Sequence, residues 1–289
     1  MINPLVKILL SIGLVGFLFA CSNKIKQDNI ITVTIEPQRY FAEQLVDSLF
    51  SIECMVPAGT SPETYDPAPA QMAKLARSKA YFCIGHIGFE EVWLDKLKRN
   101  YPQIPFFDNS EGISLIISGH SHSSGHSHEG GVDPHIWSSP KEVRLIVQNM
   151  YKSLTDIDPA NESRYTVNLQ RLLGQVDSID EKITQMLLHS SQKAFIIYHP
   201  ALTYFARDYG LTQYSIEADG KEPSPEQLKT LVEIAKEKGV KIVFVQQEFD
   251  QKNAESVAKE IGCRLITINP LSYDWEKEIL HIAQALSDE

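Results

Sequence analysis

Cysteine is scarce in this sequence, with four in 289 residues and none in a Cys-x-x-Cys pair. Cys54 and Cys83 sit in apolar stretches, where a free thiol serves as a small hydrophobe, and Cys263 follows a helix-ending Gly262. With Cys21 set apart near the start, an odd number remains, which argues against both a disulfide framework and a cysteine-ligated zinc site. Basic clusters are lacking too. Lys and Arg total 27 against 37 acidic residues, the formal net charge is −10, and the cations are spread among the anions. That excludes the electrostatic footprint of a nucleic-acid partner. Beyond residue 21 no run is long and apolar enough to cross a membrane. No His-Glu-x-x-His motif of a zinc peptidase occurs either.

The one long apolar run lies at the start, where Lys7 precedes Ile8 to Phe19. It is short for a membrane span and reads as a secretory signal. The run ends in Leu18-Phe19-Ala20-Cys21, which resembles the bacterial lipobox. Cys21 is therefore expected to carry lipid, with residues 22–29 as a polar tether. The reading is an exported bacterial lipoprotein, periplasmic or at the cell surface, anchored to the membrane through Cys21. About 270 residues follow the signal, enough for two modest lobes.

From Ile30 onward short β-rich runs alternate with longer helical ones. Strands are expected at Ile31–Glu36, Ile52–Pro57, Ala80–Ile84 and Ile104–Phe107, and helices at Arg39–Leu49, Ala68–Ser78 and Glu90–Arg99. A second strand series runs through Ala194–Tyr198, Gln213–Ile216, Ile242–Gln246 and Arg264–Ile268. Alternation of this kind is the pattern of parallel α/β sheets flanked by helices. Ser224-Pro225-Glu226-Gln227 combines an N-cap, a first-turn proline and a capping-box glutamine. Between the two series, residues 141–190 lack strand signals. Leu169, Leu172, Val176, Ile179, Ile183 and Leu187 are spaced by three and four, which puts one stripe on a long helix of nearly 40 Å at roughly 1.5 Å per residue. Asp158-Pro159 should break off a short helix before it. The organisation is thus an N-terminal α/β lobe over 30–140, linking helices over 141–190 and a C-terminal α/β lobe over 191–289, held by a stiff helix.

The most conspicuous segment is residues 119–131, where His120, His122, His126 and His128 are interspersed with Gly and Ser. Such a loop offers imidazole nitrogens to a transition metal without fixed geometry. Flexible chelation is unselective, so the loop is expected to gather metal and not to be the specific site. Directly after it, Asp133-Pro134-His135-Ile136-Trp137 fixes one histidine between prolines and a large aromatic. In the second lobe the apolar strand Phe195 to Tyr198 runs into His199-Pro200, placing His199 at the carboxyl end of a strand, where open α/β sheets bind ligands. His86, His189 and His281 have no motif around them, and Glu90 and Glu91 read as ordinary acids of a helix start.

Asp133 to Trp137, His199-Pro200-Ala201 with Tyr204 to Leu211, and Lys221-Glu222-Pro223-Ser224 closely resemble motifs of the cluster A-I solute-binding proteins, the ZnuA/TroA-like family that supplies zinc or manganese to ABC importers. The resemblance runs from about Ile30 to the C-terminus. It implies two α/β lobes joined by one long rigid helix, metal in the inter-lobe cleft, His135 and His199 as ligands, and a permease as partner. Zn2+ is the implied cargo, which the histidine loop favours, with Mn2+ or Fe2+ as the alternative. The chain departs from the family pattern at two ligand positions. Glu63 stands where a histidine is usual, in Gly59 to Pro67, and Asn269 before Pro270-Leu271 where an aspartate is typical. Water, Asp274 or Glu217 are other ways to complete the shell. A monomeric binding protein without catalytic activity is expected. The competing reading is a lipid-anchored zinc hydrolase, since two histidines, a carboxylate and an open position also describe catalytic zinc, but no base for a metal-bound water is evident.

Overall fold

The computed structural model describes residues 28–117, 131–217 and 221–288. The signal run, Cys21, most of the expected tether and His120, His122, His126 and His128 lie outside the described residues.

The first lobe comprises β1 (Ile30–Val33), α1 (Glu36–Val46), β2 (Ser51–Cys54), α2 (Pro69–Leu75), β3 (Ala80–Cys83), α3 (Gly88–Asn100) and β4 (Phe106–Asp108). Its four strands pair in parallel in the order β2-β1-β3-β4. The strand expected through Glu36 stops at Val33. Pro37 has no amide to extend a ladder but suits a helix's first turn. Gln38 Oε1 takes the amides of Thr34 and Ile35 at 2.9 and 3.3 Å, which turns the chain into α1.

A 3-10 turn at Ile136–Ser138 leads into α4 (Pro140–Ile157), and a second at Pro159–Asn161 separates it from α5 (Glu162–Leu188). α4 has 18 residues, so the segment before the Asp158-Pro159 break is a full-length helix and not a short one. Ser139 caps it by accepting from the Lys141 amide, with Pro140 in the first turn. α5 has 27 residues and is about 40 Å long. Leu172, Val176, Ile179, Ile183 and Leu187 form its buried stripe. Near its start Asn168 and Arg171 donate to the carbonyls of Leu45 and Gln44, both at 2.9 Å; farther on Asp180 accepts from Tyr209 in the second lobe at 2.6 Å. One continuous helix therefore braces both lobes.

The second lobe comprises β5 (Ala194–Ile197), α6 (Thr203–Asp208), β6 (Thr212–Ser215), α7 (Pro225–Glu237), β7 (Ile242–Gln246), α8 (Lys252–Ile261), β8 (Arg264–Ile268) and α9 (Trp275–Ser287). Its strands are again parallel, in the order β6-β5-β7-β8. The Ser224–Gln227 capping box is formed, with side-chain-to-backbone bonds of 2.7 and 3.3 Å. Alternate residues divide this sheet between two cores. Phe195, Ile197 and Phe244 join the apolar cluster that runs through α1, α4, α5 and α9, while Ile196, Val243 and Val245 pack with α7 and α8.

The lobes are tied at the base of the cleft by an exchange of indoles. Trp137 Nε1 donates to the Pro270 carbonyl at 2.9 Å, and Trp275 Nε1 donates to the Trp137 carbonyl at 2.8 Å. The Trp275 ring also meets Phe41 edge-on, at 5.1 Å between centroids. In each sheet the order reverses between the first and third strands, and the two crevices so formed are where open parallel sheets accept ligands.

Candidate metal centre

Glu63 lies in the long turn between β2 and α2. Its Oε2 accepts the Gly88 amide at 3.1 Å, and Gly88 opens α3, so the carboxylate sits at the positive end of a helix. Only glycine fits there. A Cβ at Gly88 would lie 2.5 Å from the Glu63 carbonyl oxygen and 2.8 Å from Oε2. The other oxygen, Oε1, is buried and has no hydrogen-bond partner among the described residues, an arrangement that leaves one carboxylate oxygen for a cation.

His135 is 6% exposed. Its Nδ1 lies 2.9 Å from Asp133 Oδ1, which also accepts the His135 amide at 2.9 Å. Burial opposes protonation of this imidazole, but the adjacent Asp133 outweighs it, with Glu63 and Glu217 adding, so the pKa is raised. His199 follows β5. Gln246 Nε2 donates to its carbonyl at 2.6 Å and Gln246 Oε1 accepts its amide at 3.3 Å. Its Nδ1 is 3.2 Å from both Glu217 oxygens, and the Phe249 ring stacks on it at 5.4 Å and 20°.

Each Nδ1 faces a carboxylate, so each imidazole carries its proton there and turns an Nε2 lone pair into the cleft. Those two Nε2 atoms are 3.2 Å apart. Two facing lone pairs at that distance require a proton or a metal cation between them. Two nitrogens each bound at about 2.05 Å with a tetrahedral angle at zinc would be about 3.3 Å apart. One ligand atom from each of Glu63, His135 and His199 falls within 4.8 Å of the others. All three line a cleft of about 300 Å³ between the lobes, together with Trp137, Glu248 and Phe249.

A family model described as ZnuA, zinc-uptake complex component A periplasmic, matches residues 31–287. The chain belongs to the ZnuA family. Among curated proteins, the zinc-binding lipoprotein AdcA of Streptococcus pneumoniae is 29% identical over 273 residues, covering 88% of this chain and 53% of AdcA. The chain thus spans about half the length of that relative. The high-affinity zinc uptake system protein ZnuA of Bacillus subtilis is 26% identical over 255 residues, 83% of this chain and 78% of its own. A crystal structure of ZnuA superposes with a TM-score of 0.82 at 36% identity, covering 89% of this chain and 97% of that one. A ZnuA deletion mutant with zinc bound gives 0.82 and 36%, covering 89% and 96%. The two-lobe α/β architecture with its long helix is the fold of these ZnuA structures, and the family is one of transport binding components, not of enzymes.

The other sequence candidates lie apart from the three converging side chains. Asn269 Oδ1 accepts the Leu271 amide at 3.2 Å, closing the turn after β8, and Asn269 does not line the cleft. Glu217 stands behind His199 and orients it. Asp274 is exposed at the start of α9, where its amide bonds Ser272 Oγ at 3.1 Å. Ile117 and Val132, which flank the histidine-rich segment, form an antiparallel bridge. Sequence reasoning passed over Gly88, Phe249 and Glu248, and none of them stands in a motif. The signal for Gly88 was its place two residues before Glu90 at a helix start; Glu248 gave none.

Proposed function

We propose that this protein is an exported binding component that captures Zn2+ in its inter-lobe cleft and passes it to the permease of an ABC importer. Glu63, His135 and His199 are the ligands in this reading. It is supported above all by the two Nε2 atoms 3.2 Å apart, each imidazole backed by a carboxylate, beside the unpartnered Glu63 Oε1. The AdcA and ZnuA relatives, named for zinc binding and zinc uptake respectively, support zinc as the cargo. The two imidazoles are borderline nitrogen donors that suit zinc better than the harder Mn2+.

Capture proceeds without covalent chemistry. Metal displaces protons and water from the cleft, and Asp133 and Glu217 stabilise the metal-bound imidazoles through their Nδ1 protons. His120, His122, His126 and His128 act as an auxiliary loop that raises the local metal concentration. Cys21 carries the lipid that keeps the monomer beside the membrane and its permease.

The test is competitive zinc titration with direct metal analysis on the full chain, on a deletion of residues 120–128, and on the His135→Ala/His199→Ala double variant. The loop deletion should retain one tight equivalent and the double variant should lose it. A double variant that keeps its tight equivalent would sink the cleft assignment.

A further inference from the structure

We infer that Glu248 is the fourth protein ligand of the cleft metal, closing a two-histidine, two-carboxylate set. The inference rests on the cleft reading above and names what completes its shell. Among the described residues, four that line the cleft carry an imidazole or a carboxylate: Glu63, His135, His199 and Glu248. The first three already have ligand atoms within 4.8 Å of one another, while the Glu248 carboxylate stands outside that group at the cleft wall and has to turn inward to close the shell. Glu248 leaves the end of β7, the strand next to β5 at the crevice of the second lobe. Its backbone is fixed on both sides against His199. Gln246 bonds the His199 amide and carbonyl, and Phe249 stacks on the His199 ring.

The Glu248 carboxylate is half-buried, and the side chains its charge senses are His199 and His135; only its own backbone amide donates to it. No Lys, Arg or other side-chain donor among the described residues is bonded to it. The competing oxygens are committed elsewhere: both of Glu217 to His199 Nδ1, and Asn269 Oδ1 to the Leu271 amide.

Charge favours the same assignment. A divalent ion held by Glu63 and two neutral imidazoles leaves one net positive charge in a largely desolvated cleft, which is costly. A second carboxylate cancels it. Four protein ligands also make a closed zinc site, with no coordinated water to activate, which suits a carrier and not a hydrolase.

The test uses zinc titration and Co2+ absorption spectra on the full chain, with Glu248→Gln and Glu248→His beside wild type. Glu248→Gln should keep one equivalent and lose at least about 10- to 100-fold in zinc affinity, since removing even a supporting partner costs that much. Its visible Co2+ bands should weaken as water enters the shell, and Glu248→His, a neutral ligand, should restore both signals. An unchanged Co2+ spectrum in Glu248→Gln overturns the proposal, whether affinity holds or falls, because the carboxylate then acts through charge alone or not at all. Failure of this kind leaves the cleft assignment standing. Only a tight equivalent retained by the His135→Ala/His199→Ala variant would remove that.

Discussion

In the first lobe the crevice between β1 and β3 is filled by Glu90, which is 2% exposed and accepts from Thr34 Oγ1 and from the amides of Ile84 and Gly85 at 3.0 and 2.6 Å. In the second lobe the matching crevice between β5 and β7 presents His199, whose Nδ1 is satisfied by Glu217 while Nε2 points into the cleft, 3.2 Å from His135 Nε2 on the other lobe's side. The strand order is the same in both sheets. What differs is whether the polar group at the crevice has spent its hydrogen-bonding capacity on its own lobe. A carboxylate whose lone pairs are taken by local amides holds a turn together, and that turn carries Gly88, the amide that grips Glu63. An imidazole with one nitrogen turned across the lobes is placed to serve as the ligand of the proposed function.

The widest separation between the two crevices should appear in a pair of variants. Glu90→Ala leaves two buried amides without acceptors, at about 1–3 kcal/mol each, so metal-free stability should fall by roughly 3 kcal/mol in chemical denaturation. His199→Ala should change that stability by only about 1 kcal/mol or less, yet weaken zinc by more than the roughly 100-fold upper range for losing a supporting partner. If both variants lose stability equally and bind alike, the division of labour is wrong.

A narrower comparison concerns the support behind His199. Glu217→Gln swaps an anionic acceptor for a neutral one, and zinc affinity should drop by about 10- to 100-fold with stoichiometry unchanged. Isothermal competition with a chelator reads this directly.

The smallest effect is a slope. Burial pushes the Glu90 carboxyl up to about 7 from 4.5, against the pull of Thr34 and the two amides. Between those values the folded protein holds a proton that the unfolded chain has released. Stability from this group is therefore fully present below about pH 4.5 and is lost as pH rises through about 7, by at most about 1.4 kcal/mol per pH unit. Thermal unfolding of wild type against Glu90→Gln across that window should isolate the slope. Equal pH profiles would mean that Glu90 is charged throughout.

Strand placement was readable because each parallel strand is a short apolar run between helices. Ile242–Gln246 and Arg264–Ile268 were placed to the residue. The ends of β1 and α4 were not, since they depend on Gln38 reaching back to Thr34 and on Ser139 and Pro140 starting a helix. His135 and His199 were legible because rigid turns of Pro and aromatic residues surround them. Glu90 looked like an ordinary acid of a helix start, and it does occupy one. Its burial depends on Thr34 and on the turn at Ile84 and Gly85, which no local pattern shows. Glu248 lay in a polar stretch after a strand, and only the fold brings it beside two histidines 49 and 113 residues earlier in the chain.

The long helix α5 has a mechanical consequence. It is a lever about 40 Å long, so each degree of rotation about one end carries the other by roughly 0.7 Å, while metal–ligand distances tolerate only about 0.2 Å. With Glu63 carried by the first lobe and His199 by the second, a swing of two or three degrees moves one relative to the other by roughly 1.4 to 2 Å, which on the proposed function is enough to release the metal. A stiff connection of this length turns a small push on the outer faces into a large displacement at the cleft.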